Sequence, residues 1–231
     1  MTFFQTVSLK KGWKEMDIEA LERLIKSRRS IRKWKQDDVP DELLKKAVEL
    51  ATWAPNGGNF QGWRFIAVKN REIIRKMADA VQSVSDKIAS QPEAMSWQED
   101  MNRYRKNASF FRDAPVCIGV FSGAYQSPMD KVLVARESFD PEAREILGFR
   151  RFAPTAIQSA SAAAATMLLA LHQIGLGAIW LASPLLAKQE IETILNVPAE
   201  MGFVCLIAVG YPDESPQKDR KPIEQALKFV Y

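Results

Sequence analysis

The sequence predicts an α+β fold, and two observations carry the prediction. Four short apolar runs, at 63–68, at 116–121, after Gly177 and at 203–209, are rich in β-branched and aromatic residues, have strand length and are bounded by Gly or Pro. Between them, apolar residues recur at helical spacing over longer stretches. With 47% apolar and 26% charged residues in 231, the chain can bury one sizeable core, so we read 1–231 as a single domain.

Asp17 is placed to cap a helix whose Ile18, Leu21, Leu24 and Ile25 share a face. Pro40, followed by Asp41 and Glu42, suits the first turn of a second helix carrying Leu44, Ala47, Val48 and Ala51, which must stop before Pro55. An amphipathic helix is expected at 71–89, and a basic, aromatic one at 96–111. The stretch 124–152 mixes Tyr125, Phe139, Phe149, Arg150 and Arg151 with Pro and Gly, as a lid or a dimer arm would. From Thr155 a helix of nearly pure Ala, Ser, Met and Leu runs to Gln173 and ends at Gly175. Small residues on almost every face demand packing on all sides, at the centre of the protomer or at a subunit interface. A short helix at 187–195 and a turn at Gly210-Tyr211-Pro212 complete the order.

Charge narrows the function classes. Lys+Arg 32 against Asp+Glu 28 gives a net charge of +4 with both signs mixed along the chain, which favours a local anion site over a nucleic-acid surface. Cys117 and Cys205 lie inside apolar runs and read as buried free thiols, so a reducing, cytoplasmic setting is expected. Residues 1–14 lack the apolar core of a signal peptide, and no export is expected. The apolar stretch 162–171 is too short and alanine-rich to cross a bilayer and reads as a core helix, with no membrane partner.

The densest chemistry is Ser27-Arg28-Arg29-Ser30-Ile31-Arg32-Lys33-Trp34-Lys35. Arg forks match phosphate oxygens and Ser adds a short neutral donor, so the segment reads as an anion cradle; as a plain structural feature it would be a solvated basic helix end. A second basic cluster, Lys218, Arg220 and Lys221, makes sense if both clusters meet one phosphate. The loop Ala54-Pro55-Asn56-Gly57-Gly58-Asn59-Phe60-Gln61-Gly62-Trp63 offers amide donors and acceptors on a glycine-rich backbone, suited to the polar edge of a flat heterocycle or to a tight helix-to-strand connection. Leu181, Ala182 and Ser183 end a strand, a common ligand position. His172, the sole histidine, has no nearby carboxylate or Cys and reads as structural. No metal-ligand spacing, nucleophile elbow or nucleotide loop appears, so no catalytic side chain stands out. That is the profile of a protein whose cofactor carries the chemistry.

Arg28-Arg29-Ser30-Ile31-Arg32, the 54–63 loop, Gly175-Leu176-Gly177 with its following strand, and Gly210-Tyr211-Pro212 with Arg220-Lys221-Pro222 together resemble the FMN-dependent nitroreductase superfamily, most of all its nitroreductase and iodotyrosine deiodinase branches. The resemblance covers nearly the whole chain in order. It implies a mainly antiparallel sheet surrounded by helices, in a domain-exchanged homodimer with FMN at the interface. It implies that Arg28, Arg29, Ser30 and Arg32 hold the phosphate and ribityl chain and that Arg220, helped by Lys218, closes from the tail. Pro55, Asn56 and Asn59 would reach the flavin from the other subunit, with Leu181, Ala182 and Ser183 along its ring. NADH or NADPH would donate electrons, and a nitroaromatic, quinone or similar acceptor would take them in a ping-pong exchange. Reductive dehalogenation and non-catalytic flavin binding are the alternatives. The Glu-x-x-x-Tyr spacing with which the deiodinase branch grips halotyrosine is not found at 81–91, Gly62 stands where the family has Pro, and Ala182-Ser183 where it often has Glu-Gly.

Overall fold

A computed structural model describes residues 17–231, and residues 1–14 of the export reading lie outside the described residues. Its centre is a four-stranded sheet, β1 (Trp63–Val68), β2 (Val116–Gly123), β3 (Gly177–Leu181) and β4 (Met201–Gly210), in the order β1-β2-β4-β3 with every neighbouring pair antiparallel. The two central strands are apolar along nearly their whole length because both of their faces are covered. Val116, Ile118 and Val120 of β2, with Cys205, Ile207 and Val209 of β4, face α2 (Asp41–Ala51) and α7 (Thr155–Gln173). Cys117, Phe121, Leu206 and Ala208 face α3 (Arg71–Ala89) and α8 (Lys188–Ile194). The result is three layers with two cores.

Local signals account for several element ends. Asp17 accepts from Glu19 N–H to start α1 (Ile18–Ser27), and Asn70 caps α3 through Glu72 and Ile73 N–H. Gly175 takes φ 87 just past α7, which a glycine does without strain. One expectation changes, and two elements gain detail. The helix expected at 96–111 breaks into a turn at Pro92–Trp97, α4 (Gln98–Ala108) and a second turn at Phe110–Asp113, because Ser109 leaves helical geometry and bonds Gln82 and Arg112 instead. The stretch 124–152 is a hairpin of α5 (Pro128–Arg136) and α6 (Pro141–Phe152), packed chiefly on each other and joined by the Asp130–Arg150 pair. And α7 is covered on one side only: Ala160, Ala163, Ala164, Met167, Ala170 and Leu171 are buried, whereas Ile157 and Ala165 are exposed.

By length and composition alone, Pro141–Gln173 is long and apolar enough to cross a bilayer, a longer stretch than the 162–171 run. It is two helices, however, since the backbone leaves helical geometry at Ala153 (φ −129, ψ 71) and Pro154, and α7 packs its buried side on the sheet.

Candidate functional site

The site begins where α1 ends. Arg28 takes extended dihedrals (φ −59, ψ 131) and turns the chain along the outer edge of β3. There Ser30 bridges Ala178 in parallel, Ile31 N–H donates to Ala178 O at 3.2 Å, and Trp34 Nε1–H donates to Gly177 O at 3.0 Å. Close approach at this edge requires glycine: a Cβ at Gly177 would fall 2.8 Å from Ile31 Cγ1. The exit from β4 runs past the same place, with Lys35 N–H donating to Tyr211 O at 2.9 Å and the Glu214 carboxylate accepting from the N–H groups of Arg32 and Lys33. Two successive N–H groups that converge on one carboxylate form an anion-binding concavity.

Ser27, Arg29, His172, Gly177, Glu214 and Pro216 help to line a cavity of about 230 Å³. A larger one, about 630 Å³, lies between α3 and α4, but its polar groups bond one another: Ser109 to Gln82, Gln82 to Asp86, and Arg105 to Asp86. The cradle is less well satisfied. Burial first, and then the charges of Arg220 and Arg29, pull the Arg28 guanidinium below its ordinary pKa, so the tail carries Arg220 within electrostatic range of Arg28. Arg29 Nη1 donates back to the carbonyls of Lys26 and Arg28, which closes the end of α1, while its buried Nε has no partner. Among the described residues the Arg32 guanidinium donates only to Ser30 O and the Arg220 guanidinium only to Asp219 O. Among the described residues, Arg28, Arg29, Arg32, Lys218 and Arg220 form no ion pair, although fifteen such pairs occur elsewhere, the last at Lys188–Glu192. Cations gathered against one another with a buried donor unpaired leave a place for an anion.

The 54–63 loop sits elsewhere. Gly57 N–H donates to Ser159 Oγ at 3.2 Å, which ties the loop to the first half of α7. Gly58 (φ 59) lies under Tyr125, whose ring packs tilted at 52° against Phe60 with centroids 5.4 Å apart. Asn56 Oδ1 accepts from Gln61 N–H at 2.9 Å, and Asn59 Oδ1 from Gln61 Nε2 at 3.1 Å, so these amides order the loop. Pro55 is exposed. His172, beside the cradle, is on the last turn of α7, roughly 20 Å further along at a helical rise. One protomer therefore separates the loop from the cradle.

β3 carries the third group. From Ala178 beside Ser30 the strand runs to buried Leu181; exposed Ala182 and half-buried Ser183 then open a one-turn helix. The strand end at Leu181 lies roughly 10 Å beyond Ala178 at a strand rise, and Ala182 and Ser183 follow it. Lys218 is exposed and, among the described residues, forms no side-chain hydrogen bond or ion pair. Sequence reasoning missed two residues. His172 Nε2 lies 2.8 Å from Ser27 Oγ, and Glu214 fills the concavity at Arg32 and Lys33. Neither belongs to a motif, and no local signal marks their partners. Among the described residues no His, Cys, Asp or Glu cluster could hold a metal ion.

The antiparallel sheet between helix layers, with an arginine cradle at its edge, defines an oxidoreductase of nitroreductase-like fold. The chain belongs to the Nitroreductase family, whose sequence profile matches residues 25–211. It is 30% identical over 194 residues, 83% of this chain and 77% of the relative, to a Methanothermobacter thermautotrophicus protein provisionally named an NADH dehydrogenase/NAD(P)H nitroreductase. Its fold matches a BluB-like flavoprotein from Clostridium difficile 630 with a TM-score of 0.78 and 30% identity, covering 91% of this chain and 99% of the other. An iodotyrosine deiodinase crystallised with FMN and 3-iodo-L-tyrosine matches with a TM-score of 0.65 and 24% identity, covering 91% and 97%.

Proposed function

We propose that the protein binds FMN and catalyses electron transfer from NADH or NADPH to a nitroaromatic, quinone or related small acceptor. The observation that carries this reading is the gathering of Arg28, Arg29 and Arg220, from opposite ends of the chain, within one another's electrostatic range, with Arg29 lining a cavity and its buried Nε left without a partner. These donors fit a phosphate. Arg28, Arg29, Ser30 and Arg220, aided by Lys218, would hold the phosphate and ribityl chain. Arg32 would place positive charge at the pyrimidine edge, and Leu181, Ala182 and Ser183 would run along the ring, with Ser183 as a polar donor. FMN, when bound, supplies the two-electron chemistry for which the chain has no side chain of its own.

Pro55, Asn56 and Asn59 cannot reach their own cradle across the length of α7, so we assign them to the cofactor of a second subunit. A homodimer of this kind would also cover the open side of α7, the free edge of β1, the exposed Phe149 and Phe152 of α6, and the tail with its exposed Ile223, Leu227 and Phe229. The whole chain, 1–231, would then act as one FMN-binding domain, with 124–152 as a dimer arm beside the site. The buried free thiols suit a reducing compartment, which we take to be the cytoplasm.

The test is the visible spectrum of the purified protein, followed without oxygen as NADH or NADPH is added. Flavin bands should bleach with a nicotinamide and return with a nitroaromatic. Bands that bleach with neither donor point to non-catalytic flavin binding, and a colourless protein that cannot be loaded with FMN overturns the reading. Reductive dehalogenation is the second reading, supported by likeness to the deiodinase fold; consumption of halophenols by the reduced protein would favour it.

A further inference from the structure

His172 stands beside the cradle. Its Nε2 is 2.8 Å from Ser27 Oγ, and it shares the cavity wall with Ser27, Arg29 and Glu214. The groups facing it are Arg28 and Arg29 from the end of α1, with Arg220 of the tail within electrostatic range of Arg28, and Glu214 from the segment after β4. Glu214 is already engaged by the N–H groups of Arg32 and Lys33, so the imidazole meets mostly positive charge. Burial, and then Arg28 and Arg29, hold its pKa below the ordinary 6.5. Its place on the last turn of α7 works the other way, since a helix C-terminus favours a cation.

The Ser27 contact gives the proton a consequence. With His172 neutral and Nε2 unprotonated, the Ser27 hydroxyl donates to the ring. With His172 protonated, Nε2–H donates to Ser27 Oγ, and the hydroxyl proton is released for Leu24 O, 3.3 Å away, or for an anion in the cavity. A dianion placed beside Arg28 and Arg29 also cancels the repulsion that keeps the ring neutral. We propose that His172 is a proton-carrying ligand of the phosphate in this cradle, neutral in the empty protein and protonated when the phosphate enters, so that binding takes up one proton from solvent. The inference rests on the reading of the cradle as a phosphate site.

His172 is the only histidine of the chain, so a tag-free sample gives a single imidazole NMR titration that needs no assignment. The measurement is the midpoint of that titration in the empty protein, and with saturating FMN, riboflavin or inorganic phosphate. FMN and inorganic phosphate should raise the midpoint by at least one pH unit, which corresponds to at least tenfold tighter binding to the protonated form. Riboflavin, which lacks the phosphate, should leave it in place. In flavin-quenching titrations above pH 6.5, where the phosphate of FMN is mostly dianionic, a one-unit rise in the midpoint should weaken wild-type affinity roughly two- to fivefold by pH 8.5, while His172→Gln should stay flat and match wild type at the upper end. Bound FMN with an unmoved midpoint overturns the inference and leaves the flavin reading standing. A protein that takes no FMN but shows a midpoint raised by inorganic phosphate keeps the inference and overturns the flavin reading. Should the His172→Gln chain fail to fold, the wild-type titration alone decides.

Discussion

Replacing Arg28 with Ala should have opposite effects on the empty and the loaded protein. In the empty protein the guanidinium is partly buried within electrostatic range of Arg220 and Arg29, with no carboxylate partner among the described residues. Its removal relieves like-charge repulsion at the cost of some stem packing, so the thermal midpoint of the FMN-free protein should stay level or rise slightly. With FMN the balance reverses, because a charged hydrogen bond to a phosphate is worth about 1.5 to 3 kcal/mol, a loss of roughly 10- to 150-fold in affinity. At an FMN concentration about 100 times the wild-type Kd, the ligand stabilises the wild type by about 2.7 kcal/mol. A variant weakened about 30-fold keeps only about 0.9 kcal/mol of that. Melting curves with and without FMN, alongside a flavin-fluorescence Kd, separate the two effects. If Arg28→Ala lowers the midpoint of the empty protein by several degrees and leaves the Kd unchanged, Arg28 is a structural cap and the cradle assignment is refuted.

The α5–α6 hairpin depends on Asp130, 7% exposed, whose carboxyl is held at about 2 by Arg150 and by the Ser127 hydroxyl and N–H. A carboxylate depressed this far is linked to about 2.6 kcal/mol, which we discount to about 1 to 2 because the Arg150 side chain is 41% exposed. That stability is complete above the unfolded carboxyl value near 4 and lost as pH falls through about 2, so Asp130→Asn should lose it at neutral pH, read as faster amide exchange over 128–152. At the loop, a Cβ on Gly57 would overlap the Thr155 methyl, so Gly57→Ala should cost about 1 to 3 kcal/mol in urea unfolding and be relieved by adding Thr155→Ser. Burial pushes the Cys205 thiol up to about 12 and Cys117 higher still. Neither should therefore react with a disulfide reagent at pH 8 until the chain unfolds, when two thiols should be counted.

What could be read from the sequence follows the range of the forces involved. The span of α3 and α7, the Asp17 cap and the glycine after α7 are legible because helix periodicity and capping are set within a few residues. The break at Ser109 is not, because the bonds that favour it reach back to Gln82. Nor is the α5–α6 hairpin, joined by residues twenty apart. For the site, the sequence determined which groups are available: arginines on an anion-seeking segment, amides on a glycine loop, a strand end, and no acid or base for catalysis. Only the tertiary structure decided who meets whom. It carried Arg220 within electrostatic range of Arg28, gave Glu214 to the N–H groups of Arg32 and Lys33, and set His172 against Ser27, 145 residues away. It also held Asn56 a helix length from its own cradle by tying Gly57 to Ser159. Those pairings come from the packing of α1, α7 and the tail around one sheet edge, and packing is a property of surfaces that only the folded chain brings together.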